Sequence, residues 1–99
     1  MKLADYADRN GIAVCPHNWH NGLMTMANAH VVAALSQPHL LELCMIQGPL
    51  QWEILKEKLL IEDGCLKVSA QPGLGVELAH ALETRFPYIE GHFSIEVAR

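Results

Sequence analysis

Gly11-Ile12-Ala13-Val14-Cys15-Pro16-His17-Asn18-Trp19 is the stretch on which the fold turns. Ile12 to Cys15 is a short apolar run held between a glycine and a proline, the pattern of a strand buried on both faces. Its flanks are helical. Upstream, Leu3, Tyr6 and Ala7 share one helical face, and Asn10-Gly11 is a pair that ends helices. Downstream, a polar loop from His17 to Gly22 leads into a helix over 23–37, where Leu23, Met26, Ala27, Val31 and Ala34 recur at three- and four-residue spacing before Pro38. A second apolar run, with Leu40, Leu41, Leu43, Met45 and Ile46, is stopped by Gly48-Pro49 and reads as a strand over 40–46. Helix, strand, helix, strand predicts α/β architecture with parallel pairing and right-handed crossovers. Two strands alone make a poor sheet.

Beyond Pro49 the pattern changes. Trp52, Leu55, Leu59 and Leu60 have helical spacing, while Asp63-Gly64 is a two-residue hairpin signal that predicts a hairpin around 58–69. Pro72 to Gly75 is a turn, and Val76, Ala79, Leu82 and Phe86 predict a helix around 76–86, followed by an extended tail from Pro87. The chain reads as one domain with a joint near residue 47, between a 1–47 part and a 48–99 part.

The composition bounds the partners. At 99 residues with 51% hydrophobic and 18% charged side chains, the chain is globular and has room for a single domain. Lys2 and Arg9 against Asp5, Asp8 and Glu42 leave −1 on the first half, and the second half carries the rest of the net −4. Neither half offers the basic face that a phosphate backbone requires, so nucleic acid is not an expected partner. The longest nearly apolar stretch, Ala29 to Leu35, contains His30 and falls well short of the roughly 20 residues of a membrane span. Residues 1–9 lack the apolar core of a secretory signal, which points to the cytoplasm. Cys15, Cys44 and Cys65, with no Cys-x-x-Cys pair, are expected to be reduced and buried as small hydrophobes.

Cys15-Pro16-His17-Asn18-Trp19-His20 admits several chemistries. Cys15, His17 and His20 are possible zinc ligands, although the His-x-x-His pair lacks the spacing and the glutamate of a zinc-protease helix. A histidine just past the C-terminal end of a parallel strand is also well placed for acid–base work, because ligands of such sheets bind outside the strand ends and imidazole titrates near neutrality. The plainer alternative is a loop histidine bonded to backbone. Glu42, inside an apolar run, needs hydrogen bonds or a partner to stay ionised, which makes it a site candidate unless it sits on a wet strand face or meets an arginine. Gly73-Leu74-Gly75 is a fragment of a dinucleotide motif with Leu78 where a third glycine belongs, so it reads as a turn. His30 reads as a packed, hydrogen-bonded histidine.

Taken in succession, Pro16-His17-Asn18-Trp19, Ala29-His30-Val31-Val32-Ala33-Ala34, Leu41-Glu42, Gly48-Pro49-Leu50, Asp63-Gly64 and Pro72-Gly73-Leu74-Gly75-Val76-Glu77 resemble the C-terminal end of the mandelate racemase and muconate lactonizing enzyme family, within the enolase superfamily. The likeness covers essentially the whole chain and is closest to sugar-acid dehydratase-like members. It implies the last βα units of a (β/α)8 TIM-type barrel. Residues 1–10 would be the helix before strand seven, 12–15 strand seven, 23–37 the next helix and 40–46 strand eight. The remainder would return along the barrel towards an N-terminal capping domain, with an extended path over 51–60 that conflicts with the helical spacing there.

Enzymes of this family abstract the proton next to a carboxylate and hold the resulting enolate on Mg2+, so the resemblance implies a sugar-acid substrate and either a dehydratase or a racemase/epimerase. His17 matches the strand-seven histidine, a general base or acid normally oriented by an aspartate one strand earlier. Glu42 matches the strand-eight glutamate that hydrogen-bonds the developing enediolate, a role requiring a carboxyl held protonated. A complete barrel takes about 250 residues. This chain matches only its last quarter, without the metal-binding carboxylates, the lysine-bearing strand or the aspartate partner of His17. Met1 is accordingly expected to be an internal or artificial start, the chain alone to bind no Mg2+ and to be inactive, and its open strand edges to drive homo-oligomerisation or self-association. Two other readings stand beside it: a non-catalytic small α/β oligomerising or binding module, and a small metalloprotein using Cys15, His17 and His20.

Overall fold

A computed structural model describes residues 1–45 and 48–90 of the protein. Among these, helix α1 spans Lys2–Arg9 and stops at a left-handed glycine: Gly11 has φ +66°, its N–H donates to the Asp8 carbonyl at 3.0 Å, and the Ile12 N–H reaches back to the Ala7 carbonyl at 2.9 Å. This double bond satisfies carbonyls that the last turn would otherwise leave open. Helix α2, Gly22–Ala33, is capped by the Asn21 side chain, which accepts from the Met24 N–H at 3.1 Å.

The buried stripe of α2 is Gly22, Thr25, Met26, Ala29 and Val32, rotated from the one that apolar spacing predicts. Val31 and Ala34 of the expected stripe are exposed, and the helix ends at Ala33 rather than near Gln37. An almost uniformly apolar helix does not choose its own inner face; the contacts choose it. Here the choice is made by Thr25, which bonds to Asn18, and by Gly22, where a Cβ would strike the Gln51 carbonyl oxygen and the Leu55 side chain. Gln51 belongs to a single helical turn, α3 (Pro49–Trp52), opened by a proline at its first position.

Of the strands expected over 12–15 and 40–46, the described residues 12–15 and 40–45 do not form strands. Residues 12–15 and 40–45 make no backbone ladder, while Ile46 and Gln47 lie outside the described residues. The two segments nevertheless run side by side in the same sense, joined by side chains: the Cys15 thiol donates to the Leu40 carbonyl at 3.1 Å, and the Asn18 amide to the Glu42 carbonyl at 2.7 Å. Parallel pairing is weak in isolation and is normally covered on both sides, Pro16 has no N–H to give, and side-chain donors already occupy these carbonyls.

The sheet found among the described residues is instead antiparallel, β1 (Ile61–Glu62) with β2 (Cys65–Leu66), Ile61 opposite Leu66 and Glu62 opposite Cys65. Its turn is Asp63-Gly64 with φ +50° and +73°, the left-handed pair that matches strand twist. The hairpin is shorter than 58–69. Upstream of it, the helical spacing of Trp52 to Leu60 is realised only in α3. Leu55 bridges Leu78, flanked by N–H bonds from Lys56 to the Glu77 carbonyl and from Ala79 to the Ile54 carbonyl, each 2.9 Å. That pairing also holds 77–79 extended, so the helix expected around 76–86 is reduced to α4, Leu82–Arg85. The expected tail beyond Glu90 lies outside the described residues.

The core is small: Ala7, Met26, Ala29, Val32 and Leu55. Cys15 and Cys65 are exposed, contrary to the expectation of burial, because this core closes around α2 rather than around the two extended segments. No helix of the described residues is long and apolar enough to cross a membrane.

Candidate active site

The loop that follows residues 12–15 carries His17, Asn18 and Trp19, and its centre is Asn18, only 1% exposed. The Asn18 side-chain amide donates to the Glu42 carbonyl at 2.7 Å and to the Thr25 hydroxyl at 3.2 Å, and its oxygen accepts from the Asn28 amide at 3.2 Å. A buried amide satisfied on both ends is the arrangement that makes burial tolerable. The Asn28 amide also reaches the His17 carbonyl at 3.3 Å, so α2 holds the backbone at His17 from below.

Glu42 meets this loop with both carboxylate oxygens. One accepts the Asn18 backbone N–H at 2.9 Å, the other the Trp19 indole N–H at 2.8 Å. The Asn18 N–H holds the Glu42 carboxyl below the usual carboxylate range; partial desolvation pushes the other way, and the Trp19 indole and nearby His17 add to the lowering. Both donors favour the charged form of the Glu42 carboxyl.

His17 is exposed, with its ring stacked 6.3 Å from that of Trp19 and 6.3 Å, edge-on, from that of His20. His17 and Glu42, 25 residues apart in sequence, thus lie in one cluster, since the N–H of the residue next to His17 is bonded to Glu42. The proposed zinc trio is not assembled: the Cys15 thiol is turned to the Leu40 carbonyl, away from a shared centre with the two histidines. Among the described residues no group of three or more His, Cys, Asp or Glu could hold a metal ion. His30 bonds through Nε2 to the Leu74 carbonyl at 3.2 Å, tying α2 to the Pro72–Gly75 turn.

Asn18 and Trp19 stand in the quoted motif without a role of their own, and Thr25 and Asn28 are not candidates in the sequence reading. One signal is present: Thr25 and Asn28 are polar residues three apart on a helix whose other polar side chain is His30, a spacing that aims both at one point.

The comparisons with known proteins converge on one lineage. The family model described as enolase C-terminal domain-like matches residues 1–82. The chain is 36% identical over 75 residues to an arabinonate dehydratase of Saccharolobus solfataricus, a match covering 76% of this chain and 20% of that protein. It is 38% identical over 77 residues to a D-xylonate dehydratase of Haloferax volcanii, covering 78% and 19%. A D-galactarolactone cycloisomerase of Agrobacterium fabrum is 27% identical over 95 residues, covering 87% and 25%. The chain thus spans 19% to 25% of the length of these relatives. No solved structure matches at the same significance. With the family model matched over most of its length, the chain belongs to the mandelate racemase and muconate lactonizing enzyme family, enolase C-terminal domain-like.

Proposed function

We propose that this chain is the C-terminal part of an enolase-superfamily enzyme that removes the proton next to the carboxylate of a sugar acid, and that the 99-residue chain alone does not turn over. The observation that carries this reading is the cluster itself: His17 stands exposed beside an ionised Glu42, in a chain whose relatives are named for sugar-acid dehydration. The side-by-side segments 12–15 and 40–45 fit the place of the last two strands of a barrel whose other strands lie elsewhere.

In the dehydration reading, His17 exchanges the proton. As a base its neutral imidazole accepts the proton from the carbon next to the carboxylate; as an acid its imidazolium delivers one to the departing hydroxyl, which leaves as water. Mg2+ in this family stabilises the charge that develops on the substrate carboxylate. The described residues do not form a set that fits it, and no step here runs through it.

The test is a chimera in which the matching C-terminal segment of the Saccharolobus arabinonate dehydratase is replaced by this chain. Arabinonate consumption by the chimera, falling about 100-fold or more on His17→Asn, is the expected result. A chimera whose turnover is unchanged by that substitution overturns the assignment of His17, and turnover by the 99-residue chain alone overturns its dependence on the remainder.

A further inference from the structure

We propose that Asn18 is a positioning residue that sets Glu42 against His17, and that helix α2 acts on the site through it. This rests on reading His17 and Glu42 as a working pair, but its test reads geometry and not turnover, so the two can fail separately.

Asn18 lies between His17, to which it is covalently joined, and Glu42, which it holds at two points: its backbone N–H on the carboxylate at 2.9 Å and its side-chain amide on the main-chain carbonyl at 2.7 Å. Two contacts on one residue fix orientation as well as distance. The remaining capacity of the amide is spent on α2, through the Thr25 hydroxyl and the Asn28 amide, and Asn28 closes the circuit on the His17 carbonyl. Trp19 then completes the Glu42 carboxylate from the exposed side.

No other side chain of this size carries both donors and an acceptor in one plane. Aspartate lacks the donors and brings a second negative charge; leucine lacks both.

Two features distinguish positioning from general support. Removing the Asn18 amide releases the Glu42 main chain, so the carboxylate drifts off the Asn18 N–H and the Trp19 indole. Removing the Thr25 hydroxyl takes a hydrogen bond from the same buried network without touching Glu42.

The experiment is NMR on the 99-residue chain: the titration of the Glu42 side-chain carbon, and the solvent protection of the Trp19 indole N–H, in the wild type, Asn18→Ala and Thr25→Val. The expected result is that Asn18→Ala moves the Glu42 midpoint up towards the ordinary glutamate value and strips protection from the indole, while Thr25→Val leaves both in place. Should Asn18→Ala not fold, Asn18→Ser, which is neutral, is read on the same two signals. Equal shifts in the Asn18 and Thr25 variants, or no shift in the Asn18 variant, would overturn the proposal.

Discussion

The Glu42 carboxylate and the Trp19 indole are hydrogen-bonded at 2.8 Å across 23 residues of sequence, and this bond joins the two extended segments at their solvent side. Glu42 titrates lower in the folded chain than in the unfolded one, so its contribution to stability is fully present above the unfolded-state value and is lost as the pH falls through the folded-state value. Thermal melts taken from neutral pH down through the carboxylate range should therefore show Tm falling on the acid side. In Trp19→Phe, which keeps an aromatic ring but removes the donor, that acid-side fall should become smaller and end at higher pH. An identical pH profile in the two proteins would show that the bond contributes nothing in solution.

Met26 is 2% exposed, at the centre of a core with few members. Met26→Ala should cost about 2–5 kcal/mol through lost burial and the cavity left behind. Against the roughly 5–15 kcal/mol of a typical domain this is a large share. Tm should drop on the order of 10 °C or more, measured by circular dichroism.

Gly22→Ala tests the contact between α2 and α3. Alanine improves helix propensity by about 1 kcal/mol, but the added methyl meets the Gln51 carbonyl oxygen, which is backbone and cannot turn aside. The overpacking should cost about 1–3 kcal/mol and leave a net loss in chemical denaturation. A stabilised Gly22→Ala variant would show that α3 does not pack on α2 as described.

Leu40 is 82% exposed and Met45 85% exposed, both on the segment that lacks a ladder partner. Exposed apolar side chains on a segment outside any strand ladder favour association. Sedimentation velocity should show self-association of the wild type that weakens in Leu40→Lys with Met45→Lys. A wild type that is monomeric at high concentration would contradict this.

Local features were legible where the residues settle their own geometry. Asn10-Gly11 ends a helix and Asp63-Gly64 turns a hairpin because backbone freedom at one glycine decides each. Patterns of apolar spacing were less informative. Val76, Ala79 and Leu82 fit a helical period, yet residues 77–79 are claimed by pairing with 54–56, a contact more than twenty residues away that no local window contains. The run 40–46 has the composition of a buried strand, and forming one takes neighbours that two segments do not supply. That His17 and Glu42 belong in one place came from family resemblance, not from spacing. The two donors that meet the Glu42 carboxylate, on Asn18 and Trp19, are brought to it only by the folded chain.

The joining of residues 15–18 to residues 40–42 by side chains rather than by a ladder has a consequence for how the chain tolerates change. A backbone ladder is indifferent to sequence and could re-form after a two-residue slip, since every peptide offers the same groups. Here alignment is written into a thiol, an amide and a carboxylate. Evolutionary drift at Cys15, Asn18 or Glu42 therefore alters which parts of the two segments face one another, while drift at the apolar positions between them changes only how well they are filled.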